Sequence, residues 1–339
     1  MASRSGSGPD AGPYTTRYGA DADVRAKFAD HAKSGELLAR VVRIDRGEAD
    51  VVTDQGQLRV SMTKAAKDVV VGDWVCVHPG DLRINAILER SSCFVRRASR
   101  GVRRPQAIAA NVTYAVLCQP LDRELNLRRI ERELVLAFDS GATPVILLTK
   151  SDVVGPAEAT RLTELASTVS AGCTVLASNI EASDGLDAFR AAIPPAAAFA
   201  LLGASGAGKS SLANVLAGHP IQRVAEVRQG DAKGRHTTTA AELFLLDDGR
   251  LLLDTPGVRA LALWVQHRGL ELAFPEITQA SQRCRFDDCR HDHEPGCRIA
   301  EQLEAGNLDL ERVESWRRMR EEIELLESEL ETSAWSQRR

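Results

Sequence analysis

The stretch Phe199-Ala-Leu-Leu-Gly203-Ala-Ser205-Gly206-Ala-Gly208-Lys209-Ser210-Ser211 predicts a buried strand, a glycine loop and the start of a helix. Four of its residues fit the P-loop pattern G-x-x-x-x-G-K-[ST]. In a P-loop the backbone amides wrap phosphate oxygens, the lysine reaches the β and γ phosphates and the hydroxyl ligates Mg²⁺. Glycine lets the backbone approach phosphate, and the helix that begins at Lys209 adds the positive end of its dipole. The predicted phosphate-binding residues are Gly203, Ala204, Ser205, Gly206, Ala207, Gly208, Lys209, Ser210 and Ser211.

The composition limits the class of protein. With 339 residues, 44% hydrophobic content and 27% charged residues, the chain predicts a soluble globular protein of two or three domains. Residues 1–13 lack the apolar core of a signal peptide, and no stretch approaches the roughly 18 apolar residues that a membrane helix needs. We therefore expect a cytoplasmic protein with a mobile start and no membrane contact.

Charge and cysteine content indicate two local features. The net charge of -4 gives no overall indication of nucleic acid binding. The seven cysteines are an odd number whose last three cluster, which favours a reducing compartment and a metal site over disulfides. A run of six arginines without an acid indicates a local basic patch or, equally well, a solvated linker. These arginines are Arg90, Arg96, Arg97, Arg100, Arg103 and Arg104.

Short β-type runs alternate with turns from Glu36 to about Arg97. The runs are 37–44, 49–52, 57–60, 73–77 and 83–88. Five strands in about sixty residues fit an all-β OB-fold barrel, whose usual ligand is single-stranded or irregular RNA or DNA. Aromatic residues make up only 4% of the chain, so Trp74 fits the barrel core as well as a base-stacking surface.

An α/β pattern follows the arginine run. Val112–Cys118 and Pro144–Leu148 are predicted strands, and the helix between them begins after Asn126 and ends at Gly141. A further strand is predicted over 173–177. Buried strands that alternate with helices indicate an open α/β sheet, which holds its ligands at the carboxyl ends of the strands.

Two groups of residues lie at that edge of the predicted sheet. Thr149-Lys150-Ser151-Asp152 follows the second strand. The Asp152 carboxylate can accept hydrogen bonds from guanine N1–H and the exocyclic amine, which adenine cannot supply, and Lys150 would lie over the base plane. Ser178-Asn179 follows the next strand and can back the base with backbone amides. These residues predict selection of GTP over ATP.

Two further segments follow the P-loop helix, which we expect from Lys209 to about Ala217. The polar stretch 230–239 predicts a loop in which one threonine closes on Mg²⁺. A strand from Arg250 ends in Asp254, which can hold the metal through water, and Gly257 offers an amide that can sense a γ-phosphate. The predicted ligands of the whole site are GTP or GDP and Mg²⁺.

A cluster of metal-ligating side chains lies near the end of the chain. The spacing is C-x₄-C-x-H-x₅-C, formed by Cys284, Cys289, His291 and Cys297. Three thiolates and one imidazole predict a closed tetrahedral set that holds one structural Zn²⁺. On the residues alone, His293 is a rival ligand to His291.

The motifs together resemble those of translational GTP-binding proteins, but in another order. The base-reading elements precede the P-loop, which precedes His236–Thr239 and then Asp254–Gly257, so we expect a circularly permuted GTPase. With a β-barrel before it and a cysteine cluster after it, the chain resembles the RsgA (YjeQ/YloQ) family of small ribosomal subunit biogenesis GTPases. The likeness runs from about Glu36 to the C-terminal helix.

The resemblance implies a ribosome-stimulated GTPase that acts in late maturation of the small (30S) subunit. Such an enzyme binds 16S rRNA, hydrolyses GTP to GDP and phosphate, and is expected to be a monomer. We expect the chain to have four parts. They are a flexible N-terminal extension (1–35), an OB-fold RNA-binding domain (36–97), a circularly permuted P-loop GTPase domain (98–266) and a mainly helical zinc-binding domain (267–339).

The resemblance also selects among residues that the motifs leave open. The same cysteine and histidine arrangement in the family favours His291 over His293. The paired threonines of related loops favour Thr238 as the Mg²⁺ ligand beside Ser210, with Thr237 and Thr239 as alternatives.

The C-terminal helix from Asp309 carries Val313, Trp316, Ile323, Leu326 and Leu330 in roughly heptad spacing, which favours packing on its own domain over a ribosome contact.

Three departures from related enzymes shape the expected mechanism. Val258 replaces the water-orienting glutamine of Ras-like enzymes, so we expect slow intrinsic turnover of GTP. The resemblance and the chemistry of the loop indicate His236 as the catalytic residue. Thr149 stands where the family usually has Asn, and Asn179 where it usually has Ala. Because that Asn braces the P-loop, we expect reduced nucleotide affinity.

Two alternative functions remain open on the sequence. A P-loop ATPase or kinase is disfavoured by T-K-x-D and by the lack of an L-S-G-G-Q signature. A nucleotide-sensing, RNA-binding scaffold that barely hydrolyses GTP differs from the GTPase only in turnover.

Overall fold

The computed structural model describes residues 13–45, 47–63, 66–96, 106–180, 182, 184–220, 241–254, 267–291 and 294–336, with side chains described up to residue 329. Within these ranges no helix has both the length and the apolar character that a membrane-crossing segment requires.

Five strands near the start of the chain close into a barrel. They are β1 Leu37–Asp45, β2 Glu48–Thr53, β3 Gly56–Met62, β4 Trp74–His78 and β5 Arg83–Ile87. β1 pairs with both β2 and β4, β3 pairs with β2 and β5, and β5 returns to β4, which leaves no open edge between the first and last strands. The predicted barrel of five strands is confirmed. Its core is formed by Ala39, Val41, Val51, Val60, Val75, Val77 and Ile84.

Two helices before the barrel cover one side of it, namely α1 Tyr14–Arg17 and α2 Ala22–His31. Val24 and Phe28 of α2 pack against the cluster around Trp74, which is only 3% exposed. The backbone amide and the hydroxyl of Thr15 both donate to Asp54 Oδ1, at 2.8 and 2.5 Å. The expectation of a flexible extension is therefore wrong for residues 13–35, because apolar side chains there bury against the barrel. Trp74 belongs to the core and is no base-stacking surface.

A short hairpin of β6 Cys93–Arg96 and β7 Gln106–Ala110 follows the barrel. Arg90, the first arginine of the predicted basic run, forms two hydrogen bonds of 2.7 and 2.8 Å with the fully buried Asp73. Arg96 donates to the side chain of Gln106 at 2.8 Å. Arg90 is therefore a structural residue. Arg97, Arg100, Arg103 and Arg104 lie outside the described residues.

The central sheet has helices on both faces. Its strands are β8 Tyr114–Pro120, β9 Thr143–Thr149, β10 Thr174–Ser178, β11 Ala198–Leu202, β12 Glu242–Leu245 and β13 Leu251–Asp254, in the order β10-β9-β8-β11-β13-β12. β12 is antiparallel to β13, and the other neighbours are parallel. The helices are α3 Leu127–Ser140, α4 Pro156–Ser167, α5 Asp187–Ala192 and α6 Lys209–Ala217. Leu117 and Val116 of β8 belong to separate apolar clusters, as expected for a sheet that is buried on both faces.

The predicted boundaries of two helices are confirmed. Asn126 caps α3 by accepting a hydrogen bond from the amide of Arg129 at 2.9 Å, and the helix ends at Gly141 with φ 82°. α6 spans Lys209–Ala217.

The barrel and the central sheet are joined by backbone pairing. β1 pairs antiparallel with β12, with Arg43 opposite Glu242, so the strands of the two parts form one continuous sheet.

Four helices complete the described chain, α7 Arg268–Ala273, α8 Pro275–Ser281, α9 Arg298–Glu304 and α10 Leu310–Ser336. They share one apolar core with α3, in which Phe274, Trp316 and Ile323 join Ile130 and Leu134. Val313 and Leu326 are buried as well, so the last helix packs on its neighbours, as predicted, but these include α3 of the predicted GTPase domain as well as helices of its own predicted domain.

Candidate functional site

The glycine loop between β11 and α6 has the backbone that its sequence predicts. Gly203, Gly206 and Gly208 have φ values of 131°, 78° and 77°, which residues with a side chain rarely adopt. A Cβ atom on Gly203 would lie 2.4 Å from the carbonyl oxygen of Cys118 on β8. The loop therefore needs glycine both for conformation and for its close approach to the neighbouring strand.

Lys209 lies at the first position of α6, and its ammonium is held over the loop. Its Nζ donates to the carbonyl oxygens of Gly203 and Ala204 at 2.7 and 2.5 Å. Ser210 and Ser211 are exposed on the first turn of the same helix. A cation, exposed hydroxyls and a helix N-terminus thus meet at one point, which is the chemistry that binds phosphate and its metal ion.

Thr149 connects the segment predicted to read the base to the glycine loop. Its hydroxyl donates to the carbonyl oxygen of Ala207 at 3.0 Å, and the side chain is 2% exposed. The hydroxyl also lies within 3.5 Å of a Cβ atom built on Gly208. We expected a P-loop without a brace, because threonine replaces the usual asparagine. The structure corrects this expectation, since the threonine hydroxyl still forms a hydrogen bond to the loop.

The two segments predicted to read the base lie side by side. Ser178 at the end of β10 is in register with Thr149 at the end of β9. The Ser178 hydroxyl donates to the carbonyl oxygen of Gly185 at 2.6 Å, and a Cβ atom on Gly185 would lie 1.6 Å from the carbonyl oxygen of Asn179. Gly185 thus allows the chain after Asn179 to fold back. Ser151 and Asp152 form a 3-10 turn directly after Lys150, and Asp152 is exposed.

Lys150 has a partner that the sequence did not indicate. Its Nζ lies 2.5 Å from Asp122 Oδ2, and its backbone is left-handed with φ 61°. The hydrogen bonds from Lys150 and from Arg123 lower the pKa of Asp122. Asp122 and Arg123 follow β8 at the carboxyl edge of the sheet, where α/β folds bind their ligands, and the sequence motifs did not single them out.

A partly buried carboxyl group lies behind the glycine loop. Glu133 on α3 accepts a hydrogen bond from the side-chain nitrogen Nε2 of Gln119 at 2.7 Å. Gln119 is buried near the end of β8. Burial raises the pKa of Glu133 to about 7, although Arg129, Gln119 and Lys209 act in the opposite direction.

The remaining nucleotide-site predictions fall at the edge of the described chain. Asp254 is the last residue of β13 and is exposed, and β13 lies parallel to the strand that leads into the glycine loop. Gly257 and Val258 lie outside the described residues. So do His236 and the three threonines Thr237, Thr238 and Thr239.

The predicted metal ligands come together. One ligand atom from each of Cys284, Cys289, His291 and Cys297 lies within 4.8 Å of all the others. His291 Nδ1 is 3.4 Å from Cys284 Sγ and 3.8 Å from Cys297 Sγ. Around tetrahedral zinc, with Zn–S bonds of about 2.3 Å, sulfurs lie about 3.8 Å apart. The four side chains therefore fit one tetrahedral metal ion, and His293 lies outside the described residues.

The surroundings of the cluster favour a bound cation. Burial and the neighbouring thiols raise the pKa of Cys289 to about 12, and a bound cation would offset this effect by stabilising the thiolate. The amide of Arg298 donates to Cys284 Sγ at 3.3 Å. The His291 ring packs edge-on against Trp316, with centroids 5.6 Å apart, which fixes the ring and links the cluster to α10.

Sequence comparisons connect this combination of parts to known proteins. The profile of the RsgA GTPase family matches residues 87–264. The chain is 44% identical over 312 residues to the small ribosomal subunit biogenesis GTPase RsgA of Streptomyces avermitilis, covering 89% of this chain and 84% of that protein. It is 42% identical to the protein of the same name from Streptomyces coelicolor, covering 90% and 85%.

Solved structures share the fold. The crystal structure of YjeQ from Thermotoga maritima matches with a TM-score of 0.65 and 23% identity, covering 85% of this chain and 98% of the other. The structure of YloQ, a circularly permuted GTPase, matches with a TM-score of 0.64 and 22% identity, covering 87% and 97%. The circularly permuted order predicted from the motifs is thus confirmed at the level of the fold.

Proposed function

The chain belongs to the RsgA GTPase family of GTP-hydrolysing enzymes, and from this membership we propose that its GTP hydrolysis serves the late maturation of the small (30S) ribosomal subunit. The observation that carries the proposal is the likeness to the Streptomyces avermitilis protein, which is named as a GTPase of small ribosomal subunit biogenesis and which matches along most of the chain. We further propose a cytoplasmic monomer that binds 16S rRNA and is stimulated by the small subunit.

The phosphates of the nucleotide bind the glycine loop. Loop amides from Gly203 to Gly208 surround the phosphate oxygens, and Lys209 turns from its two carbonyl partners toward the β and γ phosphates. Ser211 supports the first turn of α6. The positive φ values of three loop glycines support this role, because they let consecutive amides face an anion.

The guanine base binds at the ends of β9 and β10. Asp152 accepts the two hydrogen bonds that only guanine offers, and Ser178 and Asn179 back the base. Thr149 keeps this edge in register with the phosphate loop through its bond to Ala207. Lys150 contributes the aliphatic part of its side chain to the base, while its ammonium is held by Asp122.

Hydrolysis depends on the residues proposed to bind Mg²⁺, the γ-phosphate and the attacking water. Bound Mg²⁺ neutralises charge on the β and γ phosphates. Ser210 and Thr238 are its proposed ligands, with Asp254 holding it through water and the Gly257 amide contacting the γ-phosphate. His236 orients the attacking water when the small ribosomal subunit is bound, because Val258 has no group for that purpose.

The cysteine cluster holds one structural Zn²⁺ through Cys284, Cys289, His291 and Cys297. The closeness of the four ligand atoms supports this assignment. The metal fixes the loop before α9, which carries the exposed ring of Phe286 with the guanidinium of Arg285 5.4 Å from the ring centroid. An exposed ring beside a cation is a surface on which an unpaired base can stack.

The proposed division of labour follows four parts of the chain. Residues 36–97 form the RNA-binding barrel, 98–266 the GTPase domain and 267–339 the zinc-binding domain, while residues 1–35 precede the barrel. The barrel and the zinc-binding domain grip rRNA on either side of the GTPase.

GTP turnover with and without purified small subunits tests the proposal. We expect slow release of phosphate by the free protein and a rise of at least tenfold with small subunits, whereas large subunits serve as the control. Binding of GTP to small subunits without any stimulated hydrolysis would instead favour a nucleotide-sensing scaffold. Hydrolysis of ATP at the same rate as GTP would contradict the guanine site.

A further inference from the structure

Arg123 lies beside the glycine loop, in the segment between β8 and α3. A terminal guanidinium nitrogen of Arg123 is 3.4 Å from the position of a Cβ atom built on Gly206, and apart from Gly206 and its two chain neighbours no other described residue comes within 4 Å of that position. The outer side of Gly206 therefore faces an arginine across otherwise open space in the described part of the chain.

The side chain is held in place from one side only. Its Nε donates to Asp122 Oδ1 at 3.0 Å, and Asp122 is its one partner among the described residues. The side chain is 51% exposed. A guanidinium carries five N–H donors, so the terminal groups that point toward the loop are available to a further acceptor.

Two cations beside the glycine loop share a single carboxylate. Asp122 binds Lys150 at 2.5 Å through its other oxygen, so one carboxylate is shared by two cations. Lys209, whose Nζ donates to the carbonyl oxygen of Gly203, adds a third cation at the loop. An anion bound in the glycine loop would thus lie near both Lys209 and Arg123.

We propose that Arg123 is a further nucleotide-binding residue, which contacts the phosphates of bound GDP or GTP from the outer side of Gly206. The inference rests on the proposed nucleotide site and adds one residue to it. Because arginine forms charge-assisted hydrogen bonds with phosphate oxygens, Arg123 raises affinity for the phosphate part of the ligand without reading the base. Asp122 acts as its positioning residue.

The test compares Arg123→Ala with wild type for two ligands, GDP and guanosine, by displacement of fluorescent GDP. Arg123→Ala weakens GDP binding about tenfold and leaves guanosine binding unchanged, because guanosine has no phosphate. Arg123→Lys, which keeps the charge but not the forked donors, falls between the two. Arg161→Ala is the matched control, since Arg161 is also an exposed arginine held by one carboxylate, Glu158, at 2.6 Å.

Each other outcome overturns the inference in a distinguishable way. Equal weakening of GDP and guanosine places the effect on the base edge, through Asp122 and Lys150, and not on phosphate. Unchanged GDP affinity in Arg123→Ala removes the contact altogether, as does an equal loss in Arg161→Ala. If the wild type fails to bind GDP, the proposed nucleotide site itself is wrong and Arg123 falls with it.

Discussion

The hydroxyl of Thr149 and the carbonyl oxygen of Ala207 are joined by a hydrogen bond of 3.0 Å, which links the end of β9 to the glycine loop. The bond lies in the interior, because Thr149 is 2% exposed. It couples the segment proposed to read the base to the segment proposed to hold the phosphates, so the two halves of the site keep a fixed spacing.

Removing this hydroxyl should weaken nucleotide binding. In Thr149→Val the side chain keeps its shape but leaves the Ala207 oxygen without its donor, at a cost of about 1 kcal/mol. We expect the dissociation constant for GDP to rise about fivefold, measured by titration calorimetry. Thr143→Val, at the exposed start of the same strand, should change nothing. Equal affinity in Thr149→Val and wild type would show that the bond does not support the loop.

Binding should select guanine through Asp152. Unlabelled GDP should displace labelled GDP while ADP should not, because adenine lacks the two donors. Asp152→Asn should weaken GDP about 10²-fold and improve binding of xanthosine diphosphate, whose base presents the complementary groups. Asp187→Asn, an exposed acid on α5, is the control. Displacement by ADP as strong as by GDP would remove the base-reading assignment.

One zinc ion per chain should be found by elemental analysis, and Cys289→Ser should lose it. Because the helices that carry and surround the cluster share a core with α3, we expect the midpoint of thermal unfolding to fall by about 10 °C. GDP binding at low temperature should persist, since the ligands lie outside the nucleotide site. Cys173→Ser, outside the cluster, should keep the metal. Full zinc content in Cys289→Ser would rule out this ligand set.

His236 should matter mainly to the stimulated rate of hydrolysis. His236→Ala should leave GTP affinity nearly intact while turnover with small subunits falls by about 10²-fold, the effect of one positioned catalytic group. The free enzyme should change little, because a loop histidine contributes only when a partner fixes it. His219→Ala, an exposed histidine after α6, is the control. Full stimulation in His236→Ala would clear this residue of the role.

Stability should fall as the pH rises toward 8. Burial raises the pKa of Asp139 from 3.8 to about 7, with its Oδ1 accepting from the amide of Gly269. The folded state holds this proton to higher pH than the unfolded chain, so the free energy of unfolding decreases as the pH rises from about 4 to 7.

Asp139→Asn should remove part of that pH dependence. Between pH 5 and 8 we expect wild type to lose about 1–2 kcal/mol more than the variant, after discounting for partial exposure. Denaturant unfolding at the two pH values measures the difference, and Asp30→Asn, an exposed acid on α2, should behave like wild type. Glu133 titrates in the same range and should leave a remaining slope. Parallel pH profiles of Asp139→Asn and wild type would contradict the assignment.

The parts of the fold that depend on local sequence could be predicted. The glycine loop and α6 follow from glycine chemistry and helix capping, and the ends of α3 follow from Asn126 and Gly141. The cysteine cluster could be predicted because its ligands lie within fourteen residues of one another.

The parts that depend on contacts between distant segments could not be predicted. Nothing near Lys150 in sequence indicates that Asp122 is its partner, because the two come together only when β8 and β9 pair. The packing of Phe28 on Trp74 was also missed, because the two residues are far apart in the sequence and the apolar face of α2 is short. We expected Thr149 not to brace the glycine loop, because it replaces an asparagine. Its side chain is long enough to form the hydrogen bond to Ala207.

The pairing of β1 with β12 bears on the order in which the chain folds during its synthesis. The barrel strands are synthesised first and can pair among themselves. The end of β1 at Arg43, however, can pair with β12 only after Glu242 is synthesised, which happens later than the synthesis of the glycine loop. Until then that end is an exposed strand edge, a place where nascent chains associate wrongly. Chains that terminate before residue 242 should therefore aggregate more readily than chains that extend beyond β13.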